Sequence, residues 1–152
     1  MSKPVLGIIN QPYTGEVFVG GLGTSEFFRD GFATEMRSKN TERLEDCIMC
    51  TTFPEIGSAV EKSKFDKLNS AVKLTRYGLD CYAFGLLAKG HIDIVVEAGL
   101  KSYDIQAPQA VIKAAGGVVT NWRGDGAENG GNIIASCNER IHEQALKILS
   151  TL

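Results

Sequence analysis

The chain has 152 residues, 43% apolar and 22% charged, the balance of a folded globular domain; a disordered chain carries fewer apolar residues and a larger charge imbalance. Sixteen Lys and Arg face 18 Asp and Glu for a net charge of −2, and there is no basic run. That argues against a nucleic-acid arm or a polybasic membrane patch. No apolar stretch approaches the ~18 residues of a membrane span, and Met1-Ser2-Lys3-Pro4 begins no secretory pattern, so a cytoplasmic domain with an ordinary core is expected.

Val5-Leu6-Gly7-Ile8-Ile9, the turn chemistry of Asn10 to Gly15, and Glu16-Val17-Phe18-Val19 predict a hairpin over residues 4–20. Residues 24–37 are ambiguous and accommodate a second strand pair around Asp30-Gly31. Residues 38–46 are polar and read as a linker. From Cys47 onward strands and helices alternate. A strand over 47–52 precedes a helix from Ser58 to about Asn69, with Ser58 as N-cap and Glu61 completing a capping box.

Val72 to Thr75 is a short strand. Leu79, Tyr82, Ala83, Leu86 and Leu87 then fall at helical spacing, and Lys89-Gly90 stops the helix. Ile92 to Glu97 is a strand, and Ala107, Ala110, Val111, Ala114 and Ala115 mark a third helix that ends at Gly116-Gly117. Val118 to Thr120 and Asn132 to Ser136 are strands separated by a Gly-rich turn. The last helix runs from Asn138 with Ile141, Ala145, Ile148, Leu149 and Leu152 on one face. This order predicts an α/β layer fold with substantial parallel pairing.

Four cysteines occur, at 47, 50, 81 and 137. Cys47-Ile48-Met49-Cys50 has CxxC spacing, but no second CxxC or His pair accompanies it. On a strand, positions three apart face opposite sides, so buried thiols in a reducing compartment are expected rather than a zinc or redox site. His91 and His142 read as surface residues. Asp93, between Ile92 and Ile94, reads as a solvated edge residue.

In open α/β sheets, ligands collect at strand C-termini and helix N-termini, which singles out Asp80, Glu97 and Asp104. Helix capping explains Asp80 and Asp104 equally well. Glu97 has no such explanation, because it interrupts an apolar run at a strand end. Three acids at one sheet edge would suit a hard cation such as Mg²⁺ better than zinc. Neither GxxxxGK[ST] nor a strand-bound GxGxxG is present.

Residues 97–117, from Glu97-Ala98-Gly99-Leu100-Lys101-Ser102-Tyr103-Asp104 through the apolar helix to Gly116-Gly117, resemble the C-terminal signature of the inositol monophosphatase family. Tyr103 stands where that family usually has Trp, and Gln106 where a small residue is common. Arg76 to Ala83 and Glu97 to Lys101 are most similar to its histidinol-phosphate phosphatase branch. The specific similarity covers 76–121.

The resemblance implies a Mg²⁺-dependent phosphomonoesterase of histidine biosynthesis acting on a small phosphorylated alcohol, commonly dimeric; the charge balance already predicts no nucleic-acid or membrane partner. By position it implies Asp104 as a metal ligand and Asp80, Glu97 and Lys101 as substrate-binding residues. The family's remaining ligands come from a Glu-Glu motif and an Asp-Pro-x-Asp-Gly-Thr motif, and no Asp-Pro occurs in these 152 residues. The expectation is therefore a C-terminal part with no complete catalytic set and little activity alone: residues 1–40 as the remnant of a divided sheet, 41–152 as an α/β domain. Inositol phosphate is the alternative substrate. A non-catalytic interaction or assembly domain is the alternative class.

Overall fold

The structure is a computed structural model and describes residues 3–150. Two sheets and four α-helices stack in four layers. The first sheet is an antiparallel meander of β1 (Leu6–Gln11), β2 (Glu16–Gly21), β3 (Thr24–Arg29) and β4 (Phe32–Glu35). The hairpin predicted over residues 4–20 is present, and the ambiguous stretch 24–37 forms a second, turning at Asp30-Gly31 with both residues at positive φ. The second sheet has the order β6-β5-β7-β9-β8, with β5 (Ile48–Thr51), β6 (Leu74–Tyr77), β7 (Ile94–Leu100), β8 (Val118–Asn121) and β9 (Gly131–Ser136).

Parallel pairing is confined to β5 with β6 and β7, while β9 runs antiparallel to β7 and β8. A helix connects each parallel neighbour, whereas β8 and β9 are joined by a turn, and a turn can only return the chain antiparallel. Helices α2 (Tyr82–Ala88) and α3 (Ser102–Ala114) lie between the sheets; α1 (Ala59–Ala71) and α4 (Glu139–Leu149) cover the far face of the second. Ser58 caps α1 in the expected capping box with Glu61, and Asn138 caps α4. Leu152, expected on α4, lies outside the described residues.

The strand period separates the core into two clusters. Cys50, Val95, Ile133 and Ala135 face α2 and α3, together with Ile9, Phe18 and Phe27 of the first sheet. Met49, Ile94, Val96 and Ile134 face Phe65, Leu68, Ile141 and Leu149 on the other side. The close approach of α3 to the first sheet depends on two glycines. A Cβ on Gly7 would sit 2.1 Å from the Ala107 carbonyl oxygen, and one on Gly20 would sit 2.4 Å from the Val111 Cα. The opposite face of that sheet leaves Leu6, Ile8 and Phe28 exposed.

Several expectations are corrected here. Asp93 is fully buried: it lies just before β7, and the chain at Lys39 and Thr41 returns to cover it. Its carboxylate accepts from Lys39 Nζ at 2.8 Å, Thr41 Oγ1 at 2.5 Å and the Ile48 N–H at 2.8 Å. The polar stretch 38–46 is therefore bound down rather than loose: Ser38 Oγ donates to the Ala115 and Cys137 carbonyls, and Asn138 Nδ2 donates to those of Lys39 and Thr41.

His142 is also buried, with Nδ1 3.0 Å from Ser136 Oγ and Nε2 2.9 Å from Thr120 Oγ1; burial lowers its pKa to about 4. Cys81, unlike the other three cysteines, is exposed. Cys47 and Cys50 lie in opposite core clusters, so the CxxC pair does not converge on one ligand. Burial pushes their thiols up to about 12 and about 11.

Candidate active site

The site forms where the C-terminal ends of β5 and β7 meet the N-terminal ends of α2 and α3. Glu97 lies on β7 two residues after Val95, so the strand period turns it toward α2 and α3. The register with β9 shifts between Glu97 and Leu100, a bulge that re-aims the chain straight into α3. Asp104 then falls in the first turn of α3, where one carboxylate oxygen accepts from the Lys101 N–H at 2.7 Å. Pro108 has no N–H to offer the Asp104 carbonyl four residues earlier.

Asp80 arrives by a less regular route. Gly78, Leu79 and Asp80 have φ of +87°, +73° and +50°, three consecutive left-handed residues. Leu79 was expected inside the helix on spacing; it lies instead in this turn, and α2 begins at Tyr82. Left-handed backbone at non-glycine residues costs on the order of 1–2 kcal/mol each and collects where function demands a side chain in a particular place. The α2 N-cap is Cys81, with no side-chain cap, so capping does not account for Asp80. Among the described residues its carboxylate has no hydrogen bond or ion pair.

Thr52, Asp80, Cys81, Phe84, Glu97, Leu100 and Asp104 line a single cavity of about 40 Å³. Three of the residues selected from sequence thus share one wall. Lys101 does not join them; its side chain is exposed outside the lining. Glu97 is 7% exposed and is held by Thr52, whose N–H and Oγ1 both donate to Oε1 at 2.8 Å. Burial raises its pKa, these hydrogen bonds act against the rise, and the neighbouring Asp80 charge adds to it. Thr52 was not anticipated: a threonine at the end of a β-run reads as strand propensity alone.

The inositol monophosphatase family model matches residues 1–152. The chain belongs to this family. The match takes in the N-terminal hairpins as well as the more specific stretch 76–121, and its coverage of the whole chain corrects the expectation of a C-terminal half alone. Among similar proteins, the chloroplastic bifunctional phosphatase IMPL2 of Arabidopsis thaliana is 33% identical over 156 residues, covering 97% of this chain and 44% of that protein. A histidinol-phosphatase of Chlorobaculum parvum is 26% identical, with 90% of this chain and 52% of that protein covered.

An inositol monophosphatase structure from Zymomonas mobilis superimposes with a TM-score of 0.89 at 34% identity, covering 98% of this chain and 58% of that one. The chain spans about half the length of the curated relatives it matches. Members of the inositol monophosphatase family are phosphatases, and they work with divalent metals, Mg²⁺ typically.

The residues present do not fit such a metal centre. Among the described residues no three His, Cys, Asp or Glu side chains come close enough together to hold a metal ion, and Asp104 commits one oxygen to its own helix terminus. The expectation that Asp80, Glu97 and Asp104 together would bind a hard cation is corrected accordingly: they share a cavity without forming a coordination sphere. No helix of the described residues is long and apolar enough to cross a membrane.

Proposed function

We propose that this chain provides the alcohol-recognition wall of a phosphomonoesterase pocket whose substrate is an amino-alcohol phosphate, most simply histidinol phosphate. The observation that carries the reading is the cavity lining: carboxylates from Asp80, Glu97 and Asp104, with no cationic side chain among them. Such a wall repels the phosphate and favours the opposite end of the substrate. An ammonium group donates charge-assisted hydrogen bonds to carboxylates. Glu97 is preset by Thr52, and Asp80 has an unengaged carboxylate.

Inositol offers only neutral hydroxyls to these acids, which disfavours it. Relatives named for histidinol-phosphatase activity support the amine reading. Substrate contact is assigned to Asp80 and Glu97, and not to Lys101. Asp104 is proposed as a metal ligand through the carboxylate oxygen that the Lys101 N–H does not occupy. The acidic lining and net charge of −2 favour small cationic partners over nucleic acid.

The test uses the chain itself. L-histidinol and inositol are titrated separately into isotopically labelled protein, and amide shifts are followed by NMR. Histidinol is expected to perturb Thr52, Cys81 and Glu97, and the Asp80→Ala, Glu97→Ala double variant to lose the response. Equal responses to histidinol and inositol would overturn the assignment. A second reading, an assembly domain, is favoured by the exposed Leu6, Ile8 and Phe28 of the first sheet; sedimentation showing a monomer at high concentration would speak against it.

A further inference from the structure

Glu97 is a buried carboxylate whose two oxygens are treated differently. Oε1 receives two hydrogen bonds from one residue, the N–H and the hydroxyl of Thr52, both at 2.8 Å. Oε2 has only Thr51 Oγ1 at 3.5 Å, beyond good hydrogen-bond length for two oxygens. Two donors converging on one oxygen fix both the position and the plane of a carboxylate, and they leave the second oxygen as the free acceptor. Thr51 and Thr52 separate cleanly by strand period: Thr51 is fully buried, whereas Thr52 lines the cavity. The hydroxyl of Thr52 is thus spent on Glu97 at the wall where substrate would enter.

We propose that Thr52 is a positioning residue for substrate recognition: it clamps Oε1 of Glu97 and thereby presents Oε2 to the cavity as the acceptor for the substrate's donor group. This deepens the amino-alcohol reading and rests on it for the identity of that donor. The Thr52 hydroxyl, spent on Glu97, acts on the substrate through that carboxylate. Its backbone N–H would serve in any residue, so what the sequence adds at position 52 is the hydroxyl. The groups facing Glu97 are Asp80 and Cys81 from the turn before α2, Asp104 from α3, and Cys50 from β5, with Arg76 of β6 beside it. All of these are unchanged in a Thr52 variant.

The experiment compares wild type, Thr52→Val and Thr52→Ser, following the Glu97 side-chain carboxyl carbon by NMR against pH and then titrating L-histidinol. Valine keeps the shape and the backbone donor and removes the hydroxyl. The expected result is an upward move of the Glu97 midpoint by about one pH unit in Thr52→Val, with histidinol affinity down roughly tenfold and both restored in Thr52→Ser. A purely structural role for Thr52 would not give rescue by serine of both readouts together. An unmoved Glu97 midpoint in a folded Thr52→Val protein overturns the proposal. A moved midpoint in a protein that never binds histidinol supports the positioning role and overturns the amino-alcohol reading, so the two failures are distinguishable.

Discussion

Asp93→Ala tests how the second sheet is fastened to the chain that enters it. In the wild type the Asp93 carboxylate is wholly buried and satisfies the Ile48 N–H, the Thr41 hydroxyl and the Lys39 ammonium. Its removal strands all three. The Ile48 N–H, on a partly buried residue, loses its acceptor, and a buried donor left unpaired costs on the order of 1–3 kcal/mol. Breaking a buried ion pair from one side costs about 3–5 kcal/mol; the Lys39 side chain is 33% exposed and recovers part of its hydration.

Together these place the loss at about 3–5 kcal/mol, against a whole-domain stability of roughly 5–15 kcal/mol. The assay is urea unfolding read by fluorescence of Trp122, the single tryptophan, which is buried with its Nε1 donating to the Ile133 carbonyl. With a slope of roughly 2 kcal/mol per molar urea, the midpoint falls by about 2 M. Lys39→Met, which leaves Asp93 with two donors, falls by less. A loss below about 1 kcal/mol for Asp93→Ala would refute the reasoning and return Asp93 to the status of a solvated edge residue.

Gly20→Ala forces a methyl group against the Val111 backbone at 2.4 Å and is expected to destabilise by about 1–3 kcal/mol, measured by the same unfolding curves. Leu79→Gly relieves left-handed backbone at φ +73° on a half-exposed side chain and is expected to raise stability by about 1 kcal/mol. His142, with its pKa lowered by burial to about 4 from 6.5, is neutral in the folded chain across a range where the unfolded chain binds the proton. Stability is therefore lost as pH falls from about 6.5 to about 4, by at most about 3 kcal/mol. His142→Gln should lose this dependence, so the stability difference between the two proteins changes as pH falls from about 6.5 to about 4; parallel profiles would contradict it.

Where local chemistry dictated local structure, the sequence was readable. Ser58 and Glu61 formed the capping box their spacing implies, Asn138 capped α4, and the hairpin over 4–20 appeared. Asp80, Glu97 and Asp104 came together because each sits at a strand end or helix start on the same edge of one sheet. The misreadings have a shared cause, which is partners distant in sequence. Asp93 is buried because residues 39 and 41 return to it, and His142 because Thr120 and Ser136 meet it.

Leu79 shows a different limit, since its helical spacing to Tyr82 and Ala83 is genuine but the backbone at 78–80 is left-handed. Thr52 carried no signal at all. Its importance arises only when β5 and β7 pair and place it beside Glu97.

The central claim, that this chain carries the substrate-recognition wall of a phosphatase without a complete metal centre among its described residues, is tested most directly by histidinol phosphate hydrolysis in Mg²⁺. The chain would be assayed alone and then mixed with the part of the Arabidopsis relative that the match leaves uncovered. The account predicts no turnover above buffer for the chain alone, turnover in the mixture, and its loss when the mixed chain is the Asp80→Ala, Glu97→Ala variant. Turnover by the chain alone, or equal turnover by the double variant in the mixture, would contradict it.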